Sequence, residues 1–160
     1  MKNLKKLLII IAAAVVLIIA CAVSYFLGFR QRGRAGHLTA ELAEFTLMHQ
    51  HIDYQMANAN CLALKETLNE YLALLEKYKD FERGVILSRT AYYGDKMLTH
   101  ARLARIERKL ANEKEAENQM KLAIEACKQR GWQDCSEQKI VSFTRKIEEK
   151  VPIGCLSNSK

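Results

Sequence analysis

The sequence predicts an all-α protein: an N-terminal transmembrane helix followed by a small domain of short helices. Three observations carry that prediction. The 160 residues include seven Gly and one Pro, with neither between Gly36 and Gly84; an all-β chain spends a turn every roughly 8–12 residues. Leu7 to Phe29 is a run of 23 residues without a charge, broken only by Ser24, Tyr25 and Gly28. At about 1.5 Å per residue it spans a hydrocarbon core of roughly 30 Å. Beyond Gly36 the apolar residues recur every three or four positions, the period of a half-buried helix. With 49% hydrophobic and 27% charged residues, the composition is globular.

The chain divides into a short basic tail (1–6), the transmembrane anchor (7–29), a basic linker (30–36), a helical domain (37–150) and a polar C-terminal tail (151–160). Lys2, Lys5 and Lys6 flank the apolar run on one side, and Arg30, Arg32 and Arg34 on the other. Tyr25, Phe26 and Phe29 stand where a spanning helix presents aromatics to headgroups. Two other readings stay open. Ile18-Ile19-Ala20-Cys21 resembles a lipobox, cut before Cys21, whose thiol would then carry lipid, although Ala22 to Phe29 stays apolar where a lipoprotein begins its polar tether. A cleaved secretory signal is the third reading, set against an overlong apolar region. The flanking cations nearly tie, so orientation rests on the short Lys-rich tail, which is hard to translocate. The expectation is a single-pass protein of the inner membrane of a bacterial envelope. Its N-terminus lies inside, and residues 30–160 lie on the extracytoplasmic side, in contact with the lipid bilayer.

Each helix follows from its own pattern. His37 to Ala57 places Leu38, Leu42, Phe45, Met48 or His49, Ile52 and Met56 on one face. Ala57-Asn58-Ala59-Asn60 is the expected break, and Leu62, Leu68, Leu72 and Leu75 carry the period onward to Lys79. Asp80 is the expected cap of a helix ending at Gly94, and Asp95 the cap of one running to Ala111. Asn112 with Glu115 reads as a capping box, followed by the stripe Ala116, Met120, Ala123, Ile124 and Cys127 and a stop at Gly131. Asp134 with Glu137 repeats that start for a last helix to about Lys150, ended by Pro152 and Gly154.

The spacing of Leu103-Ala104, Ala116, Met120 and Ala123 resembles the tetratricopeptide pattern, with a large–small pair on the first helix and small residues on the second. A weaker copy, Asp80 to Gly84 with Ala91, lies 32 residues upstream, where the family shows about 34. The resemblance covers roughly 63–130. It departs from the family at His100, which stands at the Trp position, at Glu107, which stands at the Tyr position, and in lacking a closing Pro. It implies a helix–turn–helix domain that binds other proteins along a concave groove.

Seven cations and two acids lie between Arg83 and Lys109. At about 100° per residue, Arg102, Arg105, Arg108 and Lys109 share one side of a helix, away from Leu103, Ile106 and Leu110. They are the candidate partner-binding residues. Arg grips carboxylates bidentately, so an acidic segment of an as yet unnamed protein is the expected partner. Nucleic acid is not expected, because beyond residue 29 the balance is 22 basic against 18 acidic residues.

Cys127 and Cys135 bracket a turn between two helices and form the candidate disulfide; Cys61 and Cys155 pair only by elimination. His49-x-His51-x-Asp53 is not a metal set, because helical residues two apart point about 200° apart. No catalytic motif and no cofactor signature occurs, so no enzyme is expected. The expected role is a membrane-anchored scaffold or interaction module, with a permanent structural subunit of a larger membrane complex as the alternative.

Overall fold

A computed structural model describes residues 39–58, 60–79, 87–150 and 152–157. The anchor at 7–29, Cys21, the linker at 30–36, the cap expected at Asp80 and the small repeat position Gly84 lie outside the described residues. The chain divides into residues 1–41 and 42–160. The described residues are helical, with no strand among them, and no described helix is long and apolar enough to cross a membrane.

Helix α1 runs over 39–57. From residue 42 on, Phe45, Ile52 and Met56 are its buried stripe, while Leu42 is 56% exposed and leaves the face expected for it. The break falls where the Asn-rich stretch placed it. Asn58 Nδ2 donates back to the Tyr54 carbonyl at 2.7 Å. Asn60 Oδ1 accepts from Leu62 N and Ala63 N, both at 3.1 Å, and so starts α2, Cys61–Lys77. Leu62, in the first turn, points to solvent; Leu64, Leu68, Tyr71, Leu74 and Leu75 form the buried side.

Helix α3, Arg89–Lys109, corrects the expected stop at Gly94. Ser88 caps it, its Oγ accepting from Ala91 N at 3.1 Å, and the helix continues through Gly94 and Asp95 without a break. Glycine inside a helix costs about 1 kcal/mol relative to alanine. Here it makes room: a Cβ on Gly94 would stand 3.2 Å from Arg130 Cζ. Because α3 is continuous and Ala91 is exposed, no turn separates the upstream repeat copy from the downstream one.

Downstream, α3 and α4 (Glu113–Arg130) form a tight hairpin. Ala101, Leu103, Ala104, Ala116, Met120 and Ala123 are all buried, and the alanines let the helix axes approach closely. The capping box expected at Asn112 is not formed. Asn112 makes no side-chain cap; its Nδ2 donates instead to Glu107 Oε2 at 2.9 Å, while Glu115 accepts from Gln119. Gly131 ends α4 in the left-handed region at φ 91°, as its position predicts.

Helix α5, Glu137–Glu148, starts on Ser136, which accepts from Lys139 N, and not on Asp134. Asp134 takes the Ser136 N–H at 3.0 Å and shapes the turn before the cap. The C-terminal stretch is no loose polar tail. Ile153 and Cys155 are buried, and Gly154–Ser157 forms a single turn, α6. Two hydrophobic clusters result. One gathers α1, α2, part of α3 and the C-terminal stretch; the other gathers α3, α4 and α5 around Met97, Ala104, Met120, Ala123 and Ile140. Both cysteine pairs are at disulfide distance: Cys127–Cys135 and Cys61–Cys155.

Candidate functional site

The basic face of α3 exists, but the chain supplies its own carboxylates to it. Arg105 is paired with Glu148 at the end of α5, and Arg102 Nε lies 3.6 Å from the other oxygen of the same carboxylate. Arg108 reaches Glu137, the first residue of α5, at 2.8 Å and Glu113 of α4 at 3.4 Å. The side chains of Arg102 and Arg105 are 15% and 20% exposed, and Glu148 is 7% exposed. Lys109 is exposed and has no ion pair among the described residues. Three of the four residues predicted to meet an acidic partner therefore hold the two ends of α5. Glu137 and Glu148 were the missing half of the site. No local spacing points to them, because the arginines they meet lie on another helix, 29 and 43 residues away in the chain.

A polar seam continues this face towards α1 and α2. Tyr71 donates its hydroxyl to Asp95 Oδ2 at 2.9 Å, and its oxygen lies 3.3 Å from His49 Nε2. Burial, reinforced by the Asp95 charge, pushes the Tyr71 phenol far up, so it remains a proton donor to Asp95 and never a base. Burial draws the Arg102 guanidinium down, against the carboxylates of Glu148, Asp53 and Asp95. Arginine stays charged nonetheless, with an ordinary value above about 12. The seam is a network of polar side chains drawn from α1, α2 and α3.

His49, His51 and Asp53 do not converge. His49 Nδ1 pairs with the Phe45 carbonyl at 2.8 Å, and His51 and Asp53 are exposed. No group of three metal-ligating side chains occurs among the described residues. The two positions at which the tetratricopeptide resemblance fails hold structural polar residues. His100 Nδ1 lies 2.7 Å from Gln119 Oε1, and burial lowers its pKa from the ordinary value. Glu107, 1% exposed, is bound by Lys65 and Asn112.

The charge is divided unevenly along the chain. All 18 acids lie between Glu41 and Glu149, and 18 of the 25 Lys and Arg lie between Lys65 and Lys150. The other seven are Lys2, Lys5, Lys6, Arg30, Arg32, Arg34 and Lys160, so six of the seven surplus charges flank the apolar run. Between Glu41 and Lys150 the charges are balanced, 18 against 18.

Trp132 packs edge-on against Phe143 at 4.8 Å, and the Arg130 guanidinium lies 4.6 Å from its ring centre. That stack seals the turn that the Cys127–Cys135 bridge closes. No protein-family model matches the chain, and neither a curated protein nor a solved structure matches it.

Proposed function

We propose that this protein is a membrane-tethered helical interaction module. Residues 7–29 hold it in a bacterial inner membrane, and the helical domain faces the extracytoplasmic side. The observation that carries this reading is the pairing of all four cysteines beyond the apolar run into two bridges. Disulfides persist in oxidising compartments and are rare in the cytosol. Cations gathered on both sides of 7–29 agree with a tether between headgroup layers. Confinement to a surface raises the effective concentration for a weak partner, so an anchored scaffold needs no tight site of its own. Its partner is a protein that carries an acidic segment, read by the α3 arginines. The lipoprotein form, anchored through Cys21, keeps the same module on the same side of the membrane.

The test is the intact mass of the protein extracted from membranes with free thiols alkylated and no reductant added. The expected mass is that of the full chain with Cys61, Cys127, Cys135 and Cys155 unalkylated. A mass beginning at Cys21 with lipid attached would replace the anchor by a lipid. Alkylation of all four domain cysteines would reject the extracytoplasmic placement.

A second reading has one observation in its favour. Leu47 and Tyr54 are each 65% exposed on the side of α1 opposite Phe45 and Ile52, as a permanent subunit's contact stripe would be. Native mass spectrometry from detergent separates the two readings: a monomer favours the module, and a fixed oligomer favours the subunit.

A further inference from the structure

We propose that α5 is a redox-latched cover over the basic face of α3, an internal stand-in for the acidic segment that this face binds. The inference rests on the interaction-module reading and adds its regulation. Four features converge on α5. Its first residue, Glu137, and its last, Glu148, supply carboxylates to Arg108 and to Arg102 and Arg105. One disulfide sits just before it, at Cys135, and the other just after it, at Cys155. The two bridges lead to different elements, Cys127 at the end of α4 and Cys61 at the start of α2. A helix of 12 residues is also too short to persist without tertiary support.

Between its two covalent ends α5 is seated by Ile140 and Thr144, both fully buried, and by Phe143 against Trp132. Val141 packs against the same cluster, and the two covalent ends add to this seat by fixing where α5 begins and where the chain after it returns. Each bridge has one buried and one half-buried partner: Cys155 and Cys127 are buried, Cys61 and Cys135 half-buried. A thiolate therefore meets each bridge from the Cys61 or Cys135 side. A dithiol reductant opens a bridge by two exchanges, through a mixed disulfide. The protein gains two thiols, and the reductant gives up two electrons and two protons and closes as a cyclic disulfide. With both bridges open, α5 is held by its ion pairs and apolar seat alone, and an acidic segment of another chain competes with Glu137 and Glu148 for the same arginines.

The experiment uses the purified full chain in detergent, oxidised and then treated with dithiothreitol. Amide exchange is read over α5, and binding of a fluorescein-labelled oligo-glutamate peptide is read by anisotropy at low salt. The N-terminal cations are the same in both states, so the readout is the difference between states. Reduction is expected to speed exchange over 137–148 by about tenfold or more while α3 and α4 keep their protection. Peptide binding is expected to rise, and Arg102→Gln with Arg105→Gln to remove the rise. Glu148→Gln in the oxidised chain gives a second route, loosening the C-terminal half of α5 without reductant.

Unchanged exchange over α5 in the reduced chain would overturn the proposal. So would loss of protection throughout the domain, which would make the bridges plain staples. Release of α5 with no rise in peptide binding would overturn the competition at the arginines. Alkylation in the native extract tests the tethered module and its compartment, whereas exchange in the purified oxidised chain tests the latch, so either can fail without the other.

Discussion

Lys65 Nζ stands 2.6 Å from Glu107 Oε1 and ties α2 to the last turn of α3. The pair is lopsided: the Glu107 side chain is 2% exposed, and that of Lys65 is 33% exposed. The second Glu107 oxygen accepts from Asn112, so one carboxylate holds α2 and the α3–α4 turn together. Removing the lysine strands a buried anion, whereas neutralising the glutamate lets the lysine swing into water. Lys65→Met is therefore expected to cost about 3 kcal/mol and Glu107→Gln about 1 kcal/mol. Denaturant unfolding of the oxidised chain reads both values. Equal costs, or the reverse order, would show that the pair is not arranged in this way.

Acid weakens the fold in a defined window. Burial pushes the Glu107 carboxyl up, but its bonds from Lys65 and Asn112 outweigh that and hold it below its ordinary value. The Glu76 carboxyl is lowered to about 2, chiefly by the Lys96 hydrogen bond and then by that of Tyr92. Both are depressed carboxylates, so their stabilisation is complete above the unfolded value of about 4.3 and is lost as pH falls through the folded ones. His100, held neutral by burial, takes up its proton more readily in the unfolded chain, so melting temperature is expected to begin falling below about pH 6.5. The two carboxylates are expected to steepen that fall from about pH 4 towards pH 2. In Glu76→Gln the lowest part of that fall is expected to flatten by a small amount, because the Glu76 side chain is 43% exposed.

Ala111 is the one described non-glycine residue with positive φ, at 61°. The left-handed region costs a residue bearing a Cβ about 1–2 kcal/mol, part of which glycine's greater unfolded freedom gives back. Ala111→Gly is thus expected to stabilise the α3–α4 hairpin by about 0.5–1 kcal/mol. A lower melting temperature in that variant would contradict the turn geometry.

Gly154 is tightly placed for a different reason. A Cβ there would lie 3.0 Å from the Ala57 carbonyl oxygen and 3.2 Å from those of Met56 and Asn58. These are backbone atoms at the end of α1 and cannot swing aside. Gly154→Ala is expected to cost about 1–3 kcal/mol through displacement of the C-terminal turn. It is also expected to make the neighbouring Cys61–Cys155 bridge quicker to reduce, as timed alkylation would record. An unchanged reduction rate together with unchanged stability would refute the close approach.

Local chemistry determined much of this protein. Helix and strand differ in period, so the stripes Phe45–Ile52–Met56 and Ala116–Met120–Ala123 are legible without coordinates. The stop at Gly131 follows from its lack of a Cβ, and the 57–60 break from its asparagines. The Cys127–Cys135 bridge was legible because eight residues across one turn leave the two thiols few other partners. Tertiary structure decided the remainder. Gly94 reads as a stop by propensity alone, yet α3 runs through it, and the room its missing Cβ leaves is taken by the Arg130 side chain of α4. Asn112 reads as a cap, but a buried Glu107 claims its amide. The row of arginines on α3 was visible, and its occupant was not. Glu148 lies 43 residues from Arg105, and no local pattern links charges so far apart. Cys61 and Cys155, 94 residues apart, meet for the same reason. Periodicity and backbone preference act within a few turns of a helix, whereas charge pairing and close packing act through space, so only the folded chain shows which surfaces remain open.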